Sequence, residues 1–98
     1  MKKQYVVFGA GRFGKSVAVT LQSRGCEVVV VDKDPEVIED IADDVSYAIC
    51  ANVEDPDVFK DLGMKNLDGA IVAVTESLEA SIVTTMMCHE MGIPRIMA

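Results

Sequence analysis

Glycines at positions 9, 11 and 14, in the run Gly9-Ala10-Gly11-Arg12-Phe13-Gly14, directly follow the apolar stretch Tyr5-Val6-Val7-Phe8. At this spacing each glycine has a separate task. Gly9 allows a tight turn out of a strand, Gly11 lets a pyrophosphate approach the backbone, and Gly14 lets the following helix pack close to the strand. The helix beginning near Arg12 turns its unpaired N–H groups and positive dipole end toward the phosphates. About 20 residues on, Asp32 closes a second apolar run, Val28-Val29-Val30-Val31, where an acid can accept hydrogen bonds from a ribose hydroxyl pair. The chemistry implied is binding of an adenine nucleotide or dinucleotide. A carboxylate there repels a 2′-phosphate, which favours NAD over NADP; Lys33, the next residue, is the cation that bears on this preference and is counted with the site. The bland alternative is an ordinary strand-to-helix turn that binds nothing, because glycines also serve such turns.

Arg12 stands between the second and third glycines, so its side chain can leave the loop toward a phosphate. Otherwise it is a solvated arginine at a helix start, where the dipole mildly disfavours a cation. Thr75 closes the apolar run that begins at Gly69 and faces the glycine turn across the expected crevice, with Glu76-Ser77 leading into a helix. Contact with a phosphate or with the second half of a dinucleotide, and simple capping, are equally good readings of this loop. Asn52, just past the third expected strand, can reach an adenine edge or serve as a turn residue. No Ser/His/Asp arrangement or placed acid–base pair accompanies these residues, which argues against an enzyme. His89 is the only histidine, its neighbour Cys88 points to a different helix face, and Cys26 and Cys50 lie far away. Buried free thiols in a reducing compartment, and no metal, are the expectation.

These residues need a scaffold, and the hydrophobic pattern supplies one by alternating strand and helix from end to end. Strands are expected at about 4–9, 27–32, 46–51, 69–75 and 94–98, all but the third being near-continuous apolar runs of the kind a sheet covered on both faces requires. Helices are expected between them at about 12–24, 35–43, 56–63 and 78–91. In the first, Phe13, Val17, Thr20 and Leu21 share a face, and Gly25 follows as a left-handed cap. Asp34-Pro35 and Asp55-Pro56 read as an N-cap followed by proline at the first helical position, Ser77 as the N-cap of the last helix, and Gly92 and Pro94 as its end. Short connections of this kind imply right-handed crossovers and a doubly wound, Rossmann-like parallel sheet of order 3-2-1-4-5, with the ligand crevice at the carboxyl ends of strands one and four. The last helix carries Ile82, Val83, Met86, Met87, Cys88 and Met91, more apolar surface than one buried stripe needs; its spare side is expected to meet a second copy, although such methionines also serve as core filler.

At 98 residues and 50% hydrophobic content, the chain is read as a single domain, 1–98, with enough apolar mass for a core. No apolar run approaches the ~20 residues of a membrane helix, and Met1-Lys2-Lys3 leads straight into a strand, so the expectation is a cytoplasmic protein without membrane insertion. A net charge of -7 with scattered lysines and arginines disfavours nucleic acid as a partner. The chain stops inside its fifth expected strand, an abrupt place for a domain to end, and further regions are expected to belong to the functional protein.

Taken together, the glycine turn, Val31-Asp32, Leu62-Gly63, the segment Asp68-Gly69-Ala70-Ile71-Val72-Ala73-Val74-Thr75 and Glu79-Ala80-Ser81 make the whole chain resemble the N-terminal nucleotide-binding lobe of Trk/Ktr-type potassium-uptake regulators, the RCK or KTN domain. Arg12-Phe13 between the glycines resembles the Ktr branch more than the Trk branch. The resemblance implies a regulatory domain that assembles as homodimers and then octameric rings on a potassium-translocating membrane subunit, sensing ATP and ADP or NAD and NADH, with Arg12-Phe13 leaning toward ATP and ADP. It further implies that Gly9, Gly11 and Gly14, with Phe13 of the same turn counted as a cofactor-binding residue, line the nucleotide, Asp32 holds the ribose, Asn52 and Val53 flank the adenine, Thr75 borders the phosphate end, and Arg12 reaches phosphate, in its own or a neighbouring subunit. The chain departs from the family at Ala51-Asn52-Val53-Glu54, where members often have Gly-Asp-Ala-Thr. The rival class is a fragment of an NAD-dependent oxidoreductase, which shares the glycine fingerprint.

Overall fold

A computed structural model describes residues 2–53, 55–62, 66–75 and 77–98. Gly63, at the expected end of the third helix, and the loop residues Glu54 and Glu76 lie outside the described residues. The order is β1 (Gln4–Phe8), α1 (Arg12–Ser23), β2 (Glu27–Asp32), α2 (Pro35–Ile41) with a 3-10 turn at Ala42–Asp44, β3 (Tyr47–Cys50), α3 (Pro56–Leu62), β4 (Gly69–Val72), α4 (Leu78–Glu90) and β5 (Arg95–Met97). All neighbouring strands pair in parallel, and the sheet order is β3-β2-β1-β4-β5, as the alternating pattern requires.

Successive residues on a strand point to opposite faces, and the two halves of the core follow that rule. Val6, Phe8, Val29, Val31, Ala70 and Val72 face one way and pack with Val58, Phe59 and Leu62 of α3 and Cys88 of α4; the Phe8 and Phe59 rings stack with centroids 5.4 Å apart. Val7, Val28, Val30 and Ile71 face the other way, toward Ala18 of α1 and Ile41 of α2. Burial on both faces is why β1, β2 and β4 read as unbroken apolar runs.

Helix ends follow their local chemistry. Asp34 accepts a hydrogen bond from the Glu36 N–H at 2.9 Å, Asp55 from the Asp57 N–H at 2.9 Å, and Ser77 Oγ from the Ala80 N–H at 3.2 Å. Gly25 and Gly92 take φ of 90° and 76° where α1 and α4 stop, a conformation that costs glycine little.

Four expectations need correction. β4 ends at Val72 rather than Thr75: the Ala73 N–H still reaches Phe8 O at 2.8 Å, but β1 then turns away at Gly9 and β5 pairs no further than Met97 with Ile71, so residues 73–75 have no strand to join. The shared face of Phe13, Val17, Thr20 and Leu21 is not the one α1 packs on the sheet: Gly14 and Ala18 are buried there, Val17 and Leu21 are half-buried, and Phe13 and Thr20 are exposed. Cys50 is exposed and Cys26 half-buried, since β3 is an edge strand and Cys26 precedes β2; Cys88 alone of the three is buried. In α4, Val83, Met87 and Met91 are half-buried, whereas Leu78, Ile82 and Met86, spaced four apart, are 78%, 50% and 57% exposed. The outward stripe therefore includes Leu78, which periodicity did not single out.

Candidate functional site

The glycine turn owes its shape to two contacts that no side chain would permit. Gly9 has φ of 91°, and a Cβ there would stand 2.7 Å from Ala73 O; a Cβ on Gly14 would stand 1.9 Å from Gly9 O. Gly9 and Gly14 are thus required by the protein's own packing. Around a Cβ built on Gly11 there is nothing within 4 Å. Its side faces open space, so the protein's own packing makes no demand for glycine at position 11. Gly11 also serves as the N-cap of α1 without any side-chain hydrogen bond, and the first turn of α1 holds no acidic residue. Its leading N–H groups and positive dipole end are left available to an anion.

Asp32, at the carboxyl end of β2, is half-buried. Its Oδ2 accepts from the Ala10 N–H at 2.8 Å and its Oδ1 from the Asp34 N–H at 2.9 Å. The carboxylate thereby ties the glycine turn to the loop after β2, and each oxygen keeps a lone pair for a further donor. The neighbouring loops are fastened by the Ala51 N–H to Asp32 O at 3.0 Å and by Cys50 Sγ to Lys33 O at 3.5 Å.

Between these loops opens a crevice of about 400 Å³. One end is lined by Asp32, Lys33, Asp34, Val37, Asn52 and Val53, the middle by Gly9 and Gly11, and the other end by Ala73, Val74, Thr75, Ser77, Glu79 and Ala80. It sits where the topology predicted, at the carboxyl edge beside β1 and β4, the switch point of the strand order. Of the ten site residues expected from sequence, seven line this crevice: Gly9, Gly11, Asp32, Lys33, Asn52, Val53 and Thr75. Gly14 lies buried beneath the turn, and Arg12 is exposed at the start of α1 without lining the crevice. Phe13 points elsewhere, into a separate apolar groove of about 260 Å³ with Tyr5, Val17, Leu21, Ile71 and Met97. Asp34, Val37, Ala73, Val74, Glu79 and Ala80 line it without having been expected to, and Ser77 was expected only as part of its loop. A proline-started helix directly after Asp32-Lys33-Asp34 was the available signal for Val37, and an N-cap serine followed by Glu79 was the signal for the far end.

Among the described residues, no group of three or more His, Cys, Asp or Glu side chains could hold a metal ion, and no helix is long and apolar enough to cross a membrane. An anion-accepting helix end, a carboxylate across from it and a crevice joining them define a Rossmann-type nucleotide-binding domain.

The chain belongs to a particular family of that class, the TrkA-N domains, whose family model matches residues 5–98. It is 40% identical over 96 residues to the Ktr system potassium uptake protein C of Bacillus subtilis, covering 98% of this chain and 43% of that protein. It is 33% identical to the Ktr system potassium uptake protein A of Vibrio alginolyticus, over 96% of this chain and 43% of that protein. A Trk system potassium uptake protein TrkA homolog of Pyrococcus abyssi shares 31% identity over 94% of this chain and 40% of its own length. The higher identities fall on the Ktr side, and the chain spans less than half the length of these relatives. Among solved structures, the AMP-bound Kef CTD of Shewanella denitrificans superposes with a TM-score of 0.76 at 18% identity, covering 97% of this chain and 57% of that one. An NAD-dependent epimerase/dehydratase, so described, from Bacillus halodurans gives 0.78 at 20% identity, over 96% of this chain and 49% of that one. These two share the fold.

Proposed function

We propose that the chain is a non-enzymatic, cytoplasmic adenine-nucleotide sensor within a potassium-uptake regulator. The observation that carries the reading is the uncapped, acid-free start of α1 at Gly11, open to a crevice whose other wall is the Asp32 carboxylate. Asp32 accepts from the ribose hydroxyls, the phosphates rest on the 9–14 turn, Asn52 and Val53 flank the adenine beside Val37, Thr75 borders the phosphate end, and exposed Arg12 reaches phosphate from its own or a neighbouring copy. Lys33 stands beside the ribose. The naming of the relatives as potassium uptake proteins supports a membrane potassium transporter as the partner.

Regulation follows from differential affinity. A nucleotide biases gating only by as much as it binds one shape of the assembled regulator better than another, so two ligands that differ in charge at the phosphate end are felt differently. ATP against ADP, or NAD against NADH, supplies such a pair. Assembly is proposed to run through the outward α4 stripe of Leu78, Ile82 and Met86 in a homodimer, and through rings in the longer protein. The oxidoreductase reading draws on the shared glycine fingerprint and, of the structures compared above, on one likeness at 20% identity, which carries fold alone.

The test is to release and identify the nucleotide that copurifies, then to titrate adenine nucleotides calorimetrically into wild type, Gly11→Val and Asp32→Ala. Gly11→Val is expected to abolish binding, and Asp32→Ala to weaken it by roughly 1.5–3 kcal/mol, with NAD preferred to NADP in wild type. Unchanged affinity in both variants would remove the crevice as the site.

A further inference from the structure

Three helices border the crevice with their first turns, and they differ in what they offer an anion. α1 begins at Gly11 with neither a side-chain cap nor an acid. α2 is capped by the Asp34 carboxylate and carries Glu36. α4 is capped by Ser77 and carries Glu79, a residue that lines the crevice. A helix start attracts anions through unpaired N–H groups and its dipole, and a carboxylate in the first turn answers the same field. Phosphate is therefore welcome at α1 and opposed at α4.

The layout of the crevice turns this contrast into selectivity. A nucleotide with its ribose at Asp32 and its first phosphate at Gly11 extends along the crevice toward Thr75, Ser77 and Glu79. Among the described lining residues the lysine, Lys33, stands at the opposite end beside Asp32, so each added phosphate approaches the Glu79 carboxylate. We propose that Glu79 is a specificity-determining residue of this site, limiting the negative charge it accepts at the α4 end and so setting its preference among nucleotides by phosphate number. This rests on the reading that the crevice takes an adenine nucleotide.

Glu79 is exposed, so its repulsion acts through water and is screened by salt. Calorimetric titration of AMP and ATP into wild type, Glu79→Gln and Glu79→Asp separates the alternatives. Glu79→Gln is expected to tighten ATP by roughly three- to tenfold and AMP by less than about twofold, with the gain shrinking at high salt, while Glu79→Asp keeps the wild-type ratio of the two affinities. A residue that merely stabilised the start of α4 would lower thermal stability in Glu79→Gln and leave that ratio alone. An ATP-to-AMP ratio equal in wild type and Glu79→Gln, with AMP still bound and still lost in Gly11→Val, overturns the proposal while sparing the nucleotide site. Absence of AMP and ATP binding in all of them overturns both.

Discussion

The start of α1 and the start of α4 lie at the same edge of one sheet, yet they are built for opposite purposes. At α1 the chain spends glycines: two are demanded by backbone contacts under 3 Å, and the third faces empty space at an uncapped helix end. At α4 a serine closes the cap, Glu79 answers the dipole, and the exposed side carries Leu78, Ile82 and Met86. An end left open and small suits a small charged ligand, whereas an end closed and apolar suits contact with another protein surface. The two N-caps are both extended, at φ/ψ of -67°/-164° for Gly11 and -154°/131° for Ser77, and they part company in what their side chains offer.

The sharpest trial of this contrast is within the glycine turn. Gly14→Ala would push a methyl into Gly9 O, and we expect a loss of roughly 3 kcal/mol or more, at the upper end of overpacking, read as a large drop in thermal midpoint. Gly11→Val, with nothing near its Cβ, should lower the nucleotide-free midpoint only by the smaller cost of a poorer N-cap while losing nucleotide. Equal damage to stability in both variants would erase the distinction between a glycine required by packing and one required by a ligand.

At the α4 end, the double change Ile82→Glu and Met86→Glu would bring like charges together across a two-fold contact, at a cost of about 3–5 kcal/mol to association. Sedimentation should show a folded monomer that still binds nucleotide. Wild type that is already monomeric at high concentration would show that this stripe does not assemble the chain on its own.

Smaller effects are expected on the buried side of the same helix. Thr84 is fully buried, and its Oγ1 has no hydrogen-bond partner among the described residues. Thr84→Val keeps the shape, removes the stranded hydroxyl and should raise stability by about 1–2 kcal/mol in denaturant titration. One turn further on, burial pushes the Cys88 thiol up from 9.0 to about 11. Because the folded pKa lies above the unfolded one, the contribution of Cys88 is intact below pH 9 and is lost as pH rises through about 11. Stability curves that stay flat between these values in wild type but match those of Cys88→Ala would remove the effect. At neutral pH, exposed Cys50 should be alkylated in the folded protein and Cys88 only on unfolding.

Local rules within the sequence determined the strand order, the capping residues Asp34, Asp55 and Ser77, and the place of the crevice, because periodicity, caps and crossover handedness act over a few residues and leave few alternatives. The pairing of the glycine turn with Asp32 was legible for the same reason: residue types at fixed spacing name a chemistry. Tertiary structure alone decided that residues 73–75 leave the sheet, since that depends on where β1 and β5 end. It also decided that the Asp32 carboxylate accepts from the Ala10 N–H, which is brought to it by the pairing of β1 with β2, whereas its bond from the Asp34 N–H is local. The exposure of Phe13, Cys50 and Leu78, and the entry of Glu79 into the crevice, depend on which neighbours arrive to cover or meet a side chain. Such neighbours are set by packing across the sheet, and no window of local sequence contains them.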